Sequence, residues 1–279
     1  MGCPVRKTSE DHICSGKVTL FPGTDTIYSN NGQKNTTSCG KKNNETTVSN
    51  GKVGESTLMD CLHSEAEIQA VYDVFHNNLL EARTVAKKRT AMRNITMFVC
   101  AINLGLRGGD LCSLKWNNIF DKNWEFLYQP DFVPQKTKRY KKHVKLTWNY
   151  DVEDVLIDWL NWLSEHGEPQ KLDDFIFTSP KVSFDKETGK CLGNAIQVRS
   201  FWRIMEKTRK EAGIKQKIGT HGCRKTMVNR HIKLSDDKTE GLIEMQGYLN
   251  HSSARITLGY ACVTQEKIQQ TKDRMAFLR

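Results

Sequence analysis

No two of the nine cysteines are spaced C-x-x-C, which removes the usual zinc ribbon or finger. Their number is odd and they are scattered: Cys3, Cys14, Cys39, Cys61, Cys100, Cys112, Cys191, Cys223 and Cys262. That pattern favours reduced thiols in a cytosolic protein, with Cys3, His12, Cys14 and Cys39 as the one alternative metal cluster. There is no N-terminal apolar run long enough for a signal peptide or a membrane span. Met1-Gly2-Cys3 lacks the Ser or Thr that acylation wants at position 6, where Arg6 stands. Without a secretion signal, the sequons at Asn35, Asn44, Asn94 and Asn250 read as chance matches. There is no P-loop, no acidic metal cluster and no internal repeat. The expectation is a cytoplasmic protein with no metal, no cofactor and no membrane attachment.

What is present is basic charge. The 279 residues carry a net charge of +10 and a sequence pI of about 9.1, a balance that favours a polyanionic partner, nucleic acid or an acidic membrane face. The length allows one or two domains. Residues 1–57 differ from the rest, for Ser29 to Gly54 is mostly Asn, Thr, Ser, Gly and Lys. Such a stretch buries too little surface to offset its ordering entropy, so 1–57 is expected to be a polar, largely disordered segment. A folded domain is expected over 58–279.

Within it, Ser64 and Glu67 make a capping box for a helix facing inward through Ile68, Val71, Tyr72, Phe75 and Leu79. A basic turn, Lys87-Lys88-Arg89, precedes a second helix from about Thr90 to Gly105. Leu106 to Asp110 is a tight turn into a third. Strand-like pieces follow at Trp124–Gln129 and Arg139–Trp148, the latter alternating Val144, Leu146 and Trp148 against His143, Lys145 and Thr147. Between them lies a hairpin with a basic turn, Gln135 to Lys142, whose plainest reading is a solvated loop. Helices are expected at Asp151–Ser164, Asn194–Ala212, from Thr220, at Lys238–Leu249, from Ser252 or Ser253, and at Thr264–Phe277. Phe175–Phe177 reads as a buried strand and 181–193 as a polar connector. The fold class is mainly α (α+β), helical with a small antiparallel β-sheet.

Seven groups stand out: Arg107, Asp110, Lys136, His221, Arg224, His251 and Tyr260. Each alone has a plain explanation. Arg107 suits a helix-terminus cation, Tyr260 a half-buried core position and His251 an N-cap. Their order sets them apart. Gly105-Leu106-Arg107-Gly108-Gly109-Asp110 with its Leu114-Lys115-Trp116-Asn117-Asn118-Ile119 tail, the Lys136 hairpin, His221-Gly222-Cys223-Arg224, Asn250-His251-Ser252-Ser253 and Tyr260 together resemble the catalytic domain of the tyrosine recombinases, the phage-integrase family. The resemblance covers about residues 58–279. It implies attack by Tyr260 on a DNA phosphate, giving a 3′-phosphotyrosyl link and a free 5′-hydroxyl. Arg107, Arg224 and His251 would hold the phosphate, and Asp110 would support Arg107. His221 would act as general base or hold the transition state. Lys136, with Lys138 as rival, would protonate the leaving oxygen. Physical chemistry agrees, since planar guanidinium forks match non-bridging oxygens and a tyrosine of ordinary pKa about 10 needs help to ionise.

The resemblance further implies double-stranded DNA as partner, contacts from Lys138, Arg139, Lys141 and Lys142, and a homo-tetramer on DNA joined through the C-terminal helix. Ile268, Met275, Phe277 and Leu278 would form that helix's apolar face. Integration or excision of a mobile element is the expected setting. The family's usual core-binding domain has no counterpart in 1–57, which keeps a non-catalytic DNA-binding remnant open. The other alternative is relaxation of DNA in the manner of a type IB topoisomerase.

Overall fold

The computed structural model describes residues 60–140, 143–184, 191–260 and 265–276. The segment expected to be disordered, the alternative metal cluster, Lys141 and Lys142 lie outside the described residues. The chain divides into two units, and the second, Met59–Arg279, carries every element named below.

The organising element is α2, Val85–Leu104, preceded by α1, Glu65–Leu80. The Ser64 hydroxyl accepts from Glu67 N, while the Glu67 carboxylate reaches back to His63 N. α2 starts a turn earlier than the sequence suggests. Thr84 supplies its cap, accepting from Lys87 N, so the basic Lys87-Lys88-Arg89 turn belongs to the helix. From Ile95 to Ile102 every side chain of α2 is buried. A helix buried all round must be packed on several sides, and α2 packs against α1, α4 (Tyr150–Glu165) and α6 (Thr220–Leu234). Trp159, Leu156 and Leu160 of α4 close one side, and the Trp159 indole donates to Ile176 O at 2.9 Å. Each such large side chain contributes about 1.5–3 kcal/mol through burial.

The remaining helices are α3 (Gly108–Cys112), α5 (Val198–Glu211), α7 (Lys238–Tyr248), α8 (Ala254–Leu258) and α9 (Gln265–Arg274). The fold is mostly helical with small antiparallel sheets. β1 (Asp131–Phe132) pairs with β2 (Val144–Lys145), and β3 (Thr178–Phe184) with β4 (Cys191–Ala195). Four expectations are corrected. Trp124–Gln129 is no strand, because Trp124 and Gln129 adopt positive φ and only a Phe120–Phe126 bridge forms. The basic turn of 135–142 holds a 3-10 helix, Gln135–Tyr140. Residues 181–184 and 191–193, expected as a polar connector, belong to the paired strands β3 and β4, whose backbone pairing replaces the missing apolar signal. Phe175 makes one bridge, to Lys115, instead of a strand.

Cys100, Cys112 and Cys223 are buried free thiols, and burial pushes Cys112 and Cys223 each up to about 12. Cys61 departs from the reduced-thiol expectation, being disulfide-bonded.

Candidate active site

The end of α2 sets the first part of the site. Gly105 takes φ +58°, and a Cβ there would land on the methyl of Met227. Its carbonyl accepts from Arg224 Nη1 at 2.6 Å. Tyr248 OH donates to the neighbouring Leu104 carbonyl at 2.9 Å, so the same turn is tied to α7. Arg107 follows as the N-cap of α3, in extended backbone, with its side chain half-buried. Asp110 is buried one turn on. Its carboxylate accepts from Gln135 N at 2.8 Å, and Gln135 Nε2 donates to Ser113 Oγ at 2.7 Å. Asp110 therefore anchors the start of the basic 3-10 helix, and among the described residues it forms no ion pair with Arg107.

α6 brings the second part. Gly219, and not Thr220, is its N-cap. A Cβ on Gly108 would lie 2.8 Å from Thr220 Cβ, so α3 and α6 begin side by side. That closeness sets Arg107 in the field of His221 and Arg224. Gly222 is equally constrained, since a Cβ would approach Asp60 O to 2.5 Å.

The third part is the turn after α7. Asn250 adopts φ +53°, and His251 N donates to Gln246 O at 3.0 Å, the six-to-one bond of a Schellman ending. Asn250 Nδ2 donates to His143 O at 3.3 Å, joining this turn to the segment before β2. His251 then faces two ways: Nε2 lies 3.3 Å from Arg224 Nη2, and Nδ1 lies 3.0 Å from Thr257 Oγ1 on α8. Two residues past α8, the half-buried Tyr260 packs on Val228, Met245 and Leu249 and their neighbours. Its ring centroid is 5.1 Å from that of His221 and 5.2 Å from that of His251, and Arg224 Cζ lies 5.8 Å from it.

The electrostatics follow from crowding of positive charge. Burial, then Arg224, Arg107 and His221, bring His251 down to about 4. Burial, then Arg224, Lys225 and Arg107, lower His221. Arg224 is lowered by burial and by Arg107, against which Tyr260 works, through its charge and through a hydrogen bond it accepts from Arg224. Its Nε is buried with no hydrogen-bond partner among the described residues. No carboxylate pairs with Arg107 or Arg224 among the described residues, a set of fixed donors that suits an incoming oxyanion.

The structure thus gathers Arg107, His221, Arg224, His251 and Tyr260. Lys136, Lys138 and Arg139 are exposed on the tethered 3-10 helix, and Lys136 makes no hydrogen bond or ion pair among the described residues. Gly105 O, Gln135 N and Thr257 escaped the sequence reading. Backbone groups carry no residue-type signal, and a threonine six residues after a histidine is a common pairing.

The profile of the phage integrase family matches residues 65–267. No curated protein sequence matches the chain. In fold it is similar to XerA recombinase, at 15% identity over 82% of this chain and 68% of that one, TM-score 0.53. It is also similar to XerH site-specific recombinase bound to palindromic difH substrate in a post-cleavage complex, at 18% identity and TM-score 0.54. That match covers 76% of this chain and only 51% of the XerH chain, so about half of XerH has a counterpart here.

Proposed function

The chain belongs to the phage integrase family, and from that premise we propose that it is a site-specific tyrosine recombinase that cleaves and rejoins DNA through a 3′-phosphotyrosyl intermediate. The observation that carries this reading is the packing of two imidazoles and a guanidinium about the ring of Tyr260, at 5.1, 5.2 and 5.8 Å.

The steps balance without outside energy. Tyr260 Oη attacks phosphorus while His221, neutral at pH 7, takes its proton. Arg107, Arg224 and His251 hold the non-bridging oxygens as equatorial charge develops. The bond to the 5′-oxygen breaks, and that oxygen takes a proton from Lys136 or Lys138. The ester conserves the bond energy, so a 5′-hydroxyl of another strand reverses the step and frees Tyr260. Lys138, Arg139, Lys141 and Lys142 would contact DNA backbone. The exposed Ile268 of α9 and Met275 just after it would dock on a neighbouring protomer, building a tetramer on DNA. A mobile element is the proposed setting.

The test uses a pool of nicked duplexes with randomised cores, which traps a covalent adduct because the released strand diffuses away. Adducts that survive denaturation are expected with the wild-type chain and absent with Tyr260→Phe; no adduct from the wild type would refute the proposal. Recovered sequences then identify the site. Joining to a second duplex distinguishes recombination from relaxation of the topoisomerase kind. Light scattering of the protein on that duplex reads the tetramer.

A further inference from the structure

His251 has a partner on each ring nitrogen, and the two are chemically unlike. Arg224 offers only donors. With Nη2 at 3.3 Å, Nε2 of His251 must accept in the free protein. The neutral ring's hydrogen is therefore on Nδ1, which faces Thr257 Oγ1 at 3.0 Å. Thr257 is fully buried. A helical threonine often bonds the carbonyl four residues back. Here that would be Ser253 O, which instead receives Ile256 N, and the hydroxyl of Thr257 goes to His251.

A phosphate oxygen entering beside Arg224 inverts the demand, because Nε2 must now donate. A carboxylate or a carbonyl at Nδ1 can only accept, and would resist that inversion. A hydroxyl can accept or donate by rotating about one bond. We propose that Thr257 is a positioning residue whose hydroxyl accepts from His251 Nδ1–H in the free protein and donates to Nδ1 when Nε2–H turns to the phosphate. Water takes the proton from Nδ1 and returns one to Nε2, so the ring stays neutral throughout. The charged and titratable groups around the ring are Arg224 and His221 from α6, Arg107 from the cap of α3, and Tyr260. Arg255 of α8 is exposed. The cations among them disfavour a charged imidazole, which is why a neutral donor needs this device.

The inference rests on the phosphotyrosyl chemistry proposed above, and its tests separate the two. Nitrogen-15 NMR of the wild-type full chain reads the His251 tautomer without DNA. A protonated Nδ1 and a bare Nε2 are expected, and the reverse would overturn the proposal even if the adduct screen succeeds. On the duplex recovered from that screen, Thr257→Val is expected to slow adduct formation about 10–100-fold, as for other partners that orient a functional imidazole. Thr257→Ser is expected within about threefold of wild type, because the hydroxyl remains. The deficit of Thr257→Val should narrow as pH falls, since an imidazolium carries Nε2–H unaided. Equal rates for Thr257→Val and wild type would refute the role, as would equal losses in Val and Ser variants that both melt like wild type. If the screen yields no adduct, the recombinase reading falls while the tautomer measurement still decides the Thr257–His251 arrangement.

Discussion

Asn250 sits at φ +53° immediately before His251, a backbone conformation that a side chain with a Cβ adopts at a cost and asparagine tolerates better than most. The Schellman turn explains why a residue that tolerates positive φ stands here. Asn250→Ala is expected to lower stability by about 1 kcal/mol in chemical denaturation, whereas Asn250→Gly keeps the turn and loses only the bond to His143 O. His251 supplies a second test. Its pKa lies at about 4 when folded, against an ordinary 6.5. Above pH 6.5 both states are neutral and the ring contributes nothing. As pH falls from 6.5 towards 4, the unfolded chain binds the proton first, so stability is lost across that window. His251→Asn should show a smaller fall in Tm between pH 6.5 and 4.5 than wild type, and an equal fall would contradict the burial of this ring among cations. His221 is lowered too, so single-turnover cleavage should stay level above 6.5 and decline below it as the base is protonated.

At the scale of elements, the junction of α2 and α3 holds the site together through one carbonyl. Gly105→Ala would place a Cβ on Met227 and strain a φ of +58°. The expected cost is about 1–3 kcal/mol, with loss of adduct formation because Gly105 O no longer meets Arg224 Nη1. A thermal melt and the adduct assay read the two effects separately. The same junction shows how much the sequence could convey. Helices were legible because Ile68, Val71 and Phe75, or Leu156, Trp159 and Leu163, mark one face at helical spacing. The short strands were not, since two residues such as Val144 and Lys145 cannot establish a period. The hairpin of β3 and β4 looked like a connector because its pairing is carried by backbone, in a polar stretch. In the site, residue types and order pointed to Arg107, His221, Arg224, His251 and Tyr260. What they could not convey was that Asp110 bonds the backbone of Gln135 and leaves Arg107 unpaired among the described residues. Only a fold brings those two segments together.

For the whole molecule, a net charge of +10 predicts DNA affinity that falls steeply with salt. Replacing Lys136, Lys138 and Arg139 together by Gln should flatten the log–log slope by about 3, one for each phosphate no longer neutralised. An unchanged slope would remove the tethered 3-10 helix from the DNA surface. Among the described residues no helix is long and apolar enough to cross a membrane. The buried thiol of Cys223, between Gly222 and Arg224, has a practical consequence. With its pKa pushed up to about 12, it scarcely reacts with an alkylating reagent at pH 8 while α6 stays closed. Its labelling rate, read cysteine by cysteine in a mass spectrometer, is therefore a clock for the breathing of the helix that carries His221 and Arg224. A DNA that binds only the closed form should slow that clock in proportion to occupancy, giving a measure of engagement that requires no strand to be cut.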